Sequence, residues 1–139
     1  MPPGRPRRRV RLGAGRERSA VRSELEVAVA EQQGRPTVAT MTGELDLSTG
    51  PEAYVRAAEL LGERPRLVLD LSGVTFCDSS GFNVLLRLRR RVVEAGGRLA
   101  LVAPPVQIAR LLALTGADAV FAVYADVGTA VASLTDTGS

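Results

Sequence analysis

Histidine is missing from all 139 residues, and that absence removes more chemistry than any motif supplies. No Ser-His-Asp triad, histidine general base or histidine-held metal can be assembled within one copy of the chain. Cys77 is the single cysteine, which excludes an internal disulfide and any cysteine cluster for zinc or iron–sulfur chemistry, and makes a reducing cytoplasm the simplest compartment. All 18 basic residues are arginine, and without lysine there is no Walker-type phosphate loop. Tryptophan is absent and aromatics make up only 4%, so a core has to come from Leu, Val and Ala. No apolar run approaches the ~20 residues that cross a bilayer. The Arg-rich start is not followed by the uninterrupted apolar segment of a secretory signal. The expectation is a soluble cytoplasmic protein with no membrane partner, no cofactor and no enzymatic activity.

With 45% hydrophobic and 24% charged residues, the chain suits one ordinary domain. The net charge of +3 is unevenly spread. Residues 1–22 hold eight arginines against Glu17, a balance of +7, and the rest holds ten arginines against fourteen acids, a balance of −4. The first 22 residues also carry Pro2, Pro3, Pro6, Gly4, Gly13 and Gly15, and such a composition buries too little to offset its ordering entropy. Residues 1–22 therefore read as a disordered Arg-rich extension, 23–135 as the domain and 136–139 as a C-terminal tail. The extension is either solvated or a contact for nucleic acid or anionic lipid, and it offers the one route to a nucleic-acid partner.

Periodicity divides the domain. Leu25, Val27 and Val29 alternate with Glu24, Glu26 and Ala28, and a second β-branched run, 37–42, follows the turn-like Gln32-Gln33-Gly34-Arg35-Pro36, which predicts an antiparallel hairpin. Thr49-Gly50-Pro51-Glu52 has the signals of a helix start, with Thr49 as cap, and the helix should run to about Leu61. Leu67-Val68-Leu69-Asp70-Leu71 reads as a buried strand, ended by a turn. An amphipathic stripe from Phe82 to Val93 predicts a helix stopped by Gly96-Gly97. A strand at 99–102, a helix from Pro104-Pro105 to Thr115-Gly116, a strand at 120–124 and a helix capped by Asp126 complete the chain. A hairpin followed by alternating helices and strands predicts an α/β domain: a mixed sheet with helices packed on it.

Where the buried strand hands over to the long helix stands Asp78-Ser79-Ser80-Gly81. The serines either cap the helix, as Asp and Ser do widely, or are displayed for chemistry. Arg87, Arg89, Arg90 and Arg91 form either a phosphate-binding ridge or a solvated helix face. Asp46 is either an acid group with a chemical role or a turn residue.

Gly43-Glu44-Leu45-Asp46, the run from Val68 to Phe76, Asp78-Ser79-Ser80-Gly81, Gly96-Gly97 and Leu114-Thr115-Gly116 occur in an order and spacing that resemble the STAS domain of bacterial anti-sigma factor antagonists, over about residues 24–134. The resemblance implies a partner switch. The unphosphorylated protein binds a kinase-type anti-sigma factor and frees the sigma factor, the kinase phosphorylates the first serine of the motif, and a PP2C-type phosphatase resets it. By position the phosphoacceptor is Ser79, and Asp46, Asp78, Ser80, Gly81, Phe82 and Asn83 belong to the partner-binding surface. Family members commonly place Met before the acid and Leu-Gly after the motif, where this chain has Cys77, Phe82 and Asn83. Cys77 suits a small buried position. Phe82 and Asn83 replace a site of close approach and should shape which partner fits. The alternative is a STAS scaffold or small-molecule-sensing domain without the phosphoswitch.

Overall fold

The computed structural model describes residues 8–13, as backbone, and 23–135. Six strands form one sheet in sequence order. They are β1 (Arg8–Gly13), β2 (Glu24–Ala30), β3 (Thr37–Leu45), β4 (Arg66–Cys77), β5 (Arg98–Val102) and β6 (Ala122–Tyr124). Pairs β1–β2 and β2–β3 are antiparallel, and β3 through β6 run parallel. Parallel neighbours need crossovers, supplied by α1 (Gly50–Ala58), α2 (Ser79–Glu94) and α3 (Val106–Thr115), and α4 (Val127–Leu134) closes the domain. The mixed sheet and the antiparallel β2–β3 hairpin match the sequence expectation, with β1 added outside the hairpin.

Strand alternation sorts the core into two layers. Leu67, Leu69 and Leu71 of β4 and Leu99 and Leu101 of β5 join Leu25, Val27, Met41, Ala53, Leu85, Leu88, Val92, Ile108 and Leu112 in one cluster, so α1, α2 and α3 cover one face. Val68, Ala100 and Val102 point the other way and meet Ala130, Val131 and Leu134 of α4. Strands covered on both faces require unbroken apolar runs, which is why Leu67-Val68-Leu69 and Leu99-Ala100-Leu101-Val102 do not alternate with polar residues.

Three expectations are corrected. Residues 8–13 form the edge strand β1, paired residue for residue with β2 from Arg8↔Val29 to Gly13↔Glu24. Composition over the whole extension hid the local alternation Arg9-Val10-Arg11-Leu12, which suits a strand; the other residues of 1–22 lie outside the described ones. Second, Ser72-Gly73 does not end β4. The strand continues to Cys77, with shifts of register against β3 between Thr40 and Thr42 and between Gly43 and Glu44. Bulges absorb the extra residues and bend the strand, so turn-type residues sit inside it. Third, α1 ends at Ala58 and not near Leu61, and the last strand begins at Ala122 and not at 120, preceded by a 3-10 turn, Ala117–Ala119. The left-handed conformations of Gly96 and Gly116, with φ of 77° each, end α2 and α3 as expected.

Candidate functional site

The carboxyl ends of β3 and β4 deliver two loops to one edge of the sheet, where open α/β folds place their ligands. β4 ends at Cys77, whose N–H donates to Gln107 Oε1 at 2.8 Å, tying the start of α3 to this corner. The next residue, Asp78, is extended (φ −98°, ψ −172°) and caps α2: its Oδ1 accepts the Gly81 N–H at 2.9 Å, while its carbonyl accepts the Phe82 N–H at 2.9 Å. The cap is therefore the aspartate and neither serine. Ser79 and Ser80 occupy the first two helical positions, with Ser79 exposed and Ser80 half-buried. Neither hydroxyl has a hydrogen-bond partner among the described residues. Their backbone N–H groups belong to the unsatisfied first turn, at the positive end of the helix dipole.

Gly81 explains how this turn meets the other loop. A Cβ there would lie 2.0 Å from the Leu45 carbonyl oxygen, so only glycine lets α2 start against the end of β3. A side chain at Gly50 would likewise stand 3.2 Å from Val84 Cγ2, so α1 begins beside the first turns of α2. Two positive helix ends converge at this corner.

Asp46 holds the loop between β3 and α1. Its Oδ1 accepts the Ser48 N–H and hydroxyl at 3.0 Å each and the Thr49 N–H at 3.2 Å, and its Oδ2 accepts the Ser23 hydroxyl. Partial burial pushes the Asp46 carboxyl up, but the hydrogen bonds from Ser23, Ser48 and Thr49 outweigh it and hold the group below its ordinary value. Of the two sequence readings, the turn residue is the one the geometry supports. Thr49 departs from expectation too. Fully buried, it makes no capping bond; its hydroxyl donates to the Glu44 carbonyl at 2.8 Å and accepts the Asp46 N–H at 3.0 Å.

The proposed surface residues separate. Asp46, Asp78, Ser79, Ser80 and Asn83 gather on one accessible corner, with Asn83 exposed. Phe82 does not join them: it is 5% exposed and packs in the main core, so the expectation that it faces a partner is corrected. A helix that begins at Ser79 turns its fourth residue toward the sheet, and an aromatic there gains more by burial than by display. Gly81 is buried and acts through the close approach it permits. Cys77 is buried as predicted, and burial, with the nearby Asp78 and Asp46 charges, pushes its thiol up to about 12. The arginine ridge is largely a packing surface. Arg87 stacks 4.0 Å over the Tyr54 ring, Arg89 Nε donates to the Val120 carbonyl at 3.2 Å, and Arg91 Nη1 donates to the Tyr54 hydroxyl at 3.3 Å.

Sequence reasoning missed an apolar rim on the segments that meet here. Leu47, beside Asp46, is 71% exposed; Val106, beside Gln107, is 68% exposed; Phe76, just before Cys77, is 43% exposed. The signal was readable for Val106, which starts α3 outside its Ile108, Leu111, Leu112 stripe. Among the described residues no group of acidic or thiol side chains could hold a metal ion, and no helix is long and apolar enough to cross a membrane.

Known proteins share this architecture. The family model for the STAS domain matches residues 27–130. An anti-sigma F factor antagonist of Paenibacillus polymyxa is 32% identical over 91 residues, covering 63% of this chain and 76% of that protein. The crystal structure of an anti-sigma factor antagonist from Mycobacterium paratuberculosis superposes with a TM-score of 0.71 at 27% identity, over 81% of this chain and 95% of that one. The fold also recurs in a larger assembly: the murine Solute Carrier 26 family member A9 anion transporter matches with a TM-score of 0.64 at 21% identity, over 76% of this chain and 18% of the transporter. With the mixed six-stranded sheet, the helix-capping Asp78 and the family match across most of the domain, the chain belongs to the STAS domain family.

Proposed function

We propose that this protein is an anti-sigma factor antagonist that docks a kinase-type anti-sigma factor on the corner formed by the Asp46 loop and the start of α2, and is switched off by phosphorylation of Ser79. The relative from Paenibacillus polymyxa is named an anti-sigma F factor antagonist, which supports the antagonist role. The observation that carries the switch is the exposed Ser79 hydroxyl, left without a hydrogen bond because Asp78 does the capping.

A kinase transfers the γ-phosphoryl group of ATP to Ser79 Oγ, ADP leaves, and the hydroxyl proton passes to a base of the kinase. No native bond has to break for the hydroxyl to enter another active site. The product adds about −1.5 to −2 charge at pH 7 beside Asp78, on a corner whose segments also carry the exposed apolar side chains Leu47, Phe76 and Val106. Apolar rims of this kind suit protein docking. A doubly charged group placed there disrupts it by bulk and by desolvation, at a cost of about several kcal/mol where like charges meet. The fold should be indifferent, because the phosphate lies at a helix N-terminus, where anions are favoured. A PP2C-type phosphatase would restore the docking form.

The alternative, a STAS scaffold or small-molecule sensor without the switch, rested on Phe82 and Asn83, and the burial of Phe82 removes half of that support. The test is phosphate transfer. Incubated with ATP and a kinase-type anti-sigma factor from the same genome, wild type and Ser80→Ala should gain one phosphate by intact mass and Ser79→Ala none. Equal incorporation in all three would overturn the assignment.

A further inference from the structure

The pole of the sheet farthest from Ser79 concentrates positive charge that the proposed switch does not use. β4 and β5 both begin on arginine, and their parallel register sets Arg66 directly beside Arg98. Like charges placed side by side oppose strand pairing, so sheet stability is not the reason for them. Arg64 adds a third guanidinium and holds a left-handed backbone, φ 50°, which strains a residue with a side chain. The segments carrying these residues are stitched together: Arg98 N–H donates to the Pro65 carbonyl at 2.8 Å, and a Cβ on Gly97 would lie 2.0 Å from that same oxygen. Gly96 faces the Arg64 stem, with Cγ 3.8 Å from where a Cβ would stand.

Between them opens a cleft of about 660 Å³, lined also by Leu134 at the end of α4. An adjoining cleft of about 160 Å³ shares Arg64 and Arg66 and adds Arg35. Arg66 donates to the Leu134 carbonyl at 3.4 Å, and none of the four arginines forms an ion pair among the described residues. Glu63 is the one acid on the described lining of either cleft. Unpaired guanidiniums converging on a cleft are matched to phosphoryl oxygens, which they bind in pairs. No aromatic side chain lines either cleft, so there is no platform on which a nucleobase could stack.

We propose that this pole binds a compact diphosphate group, held by Arg64, Arg66 and Arg98 with Arg35 supplied from the adjoining cleft. The site is independent of Ser79 and of the switch.

Titration calorimetry of the full chain with inorganic pyrophosphate, at roughly 0.15 M salt to screen diffuse attraction, tests it. Saturable binding of one pyrophosphate per chain is expected, weakened at least ~10-fold by Arg98→Glu and by Arg64→Glu, both exposed positions, and by less than ~3-fold by Arg90→Glu, an equal charge change on the exposed face of α2. Arg98→Gln serves if the charge reversals fail to fold, and should weaken binding in the same direction. ADP should bind no more tightly than pyrophosphate. Absence of binding up to about 1 mM would overturn the proposal. So would affinity unchanged in the Arg64 and Arg98 variants, which assigns the anion to the arginines of residues 1–22, or an equal loss in Arg90→Glu, which reduces the effect to net charge. ADP binding at least ~10-fold tighter would contradict the compact-diphosphate claim.

Discussion

Asp78 and Ser79 are chain neighbours whose side chains do opposite things: one carboxylate oxygen closes the first turn of α2 on Gly81, and the adjacent exposed hydroxyl makes no hydrogen bond among the described residues. Their substitutions should therefore separate stability from function. Asp78→Ala removes a helix cap and is expected to cost about 0.5–2 kcal/mol, whereas Ser79→Ala should fall within ~0.5 kcal/mol of wild type. Urea unfolding of the two variants checks this, and equal losses would mean that Ser79 is structural after all. Gly81 makes a further residue-scale prediction. Because a Cβ would strike the Leu45 carbonyl, Gly81→Ala should cost about 1–3 kcal/mol, measured as a lower urea midpoint. An unchanged midpoint would show that α2 can start farther from β3 than the structure places it.

At the scale of elements, the sequence exposed the domain strands and all four helices, because two-sided burial demands the unbroken runs of β4 and β5 and one-sided burial the stripe of α2. The capping aspartates were partly legible. Asp126 caps α4 as expected, accepting the Thr129 N–H at 2.7 Å, but Asp78 and the two serines competed for one role that only backbone conformation could decide. Long-range backbone contacts were not legible. Nothing local in Ser72-Gly73 announces a bulge, since the register shifts depend on β3, some thirty residues earlier. The fate of Phe82 was hidden for a related reason. Family position placed it beside the motif, and the phase of the helix, set by the cap, turned it into the core. The loop around Asp46 illustrates the same limit: its Ser23 partner lies 23 residues away.

For the whole molecule, two buried or partly buried groups set opposite edges of a pH profile. Asp46 is held below its ordinary 3.8 by hydrogen bonds made only in the folded state, so its contribution is present above that value and is lost as pH falls through the folded value. Cys77 is raised from 9.0 to about 12, so the folded protein keeps a proton that the unfolded chain releases, and stability should fall as pH rises from about 9. Denaturation midpoints across pH should show both edges, and Cys77→Ala should flatten the alkaline one. The native thiol should also resist alkylation at pH 8, because the thiolate is the nucleophile. β4 spans 12 residues, roughly 35 Å at the usual rise, and it carries the arginine cleft at one end and the Ser79 corner at the other. The two can be varied independently, so Arg98→Glu should leave docking at the Ser79 corner intact.

The most direct test of the account is the dissociation constant for a kinase-type anti-sigma factor from the same genome, measured by calorimetry with wild type, Ser79→Asp and Ser80→Asp. Ser79→Asp should bind at least ~100-fold more weakly, from a charge placed on the proposed docking corner, while its thermal melt stays that of wild type and Ser80→Asp loses less. Equal affinity for wild type and Ser79→Asp, with both folded, would contradict a switch at this serine.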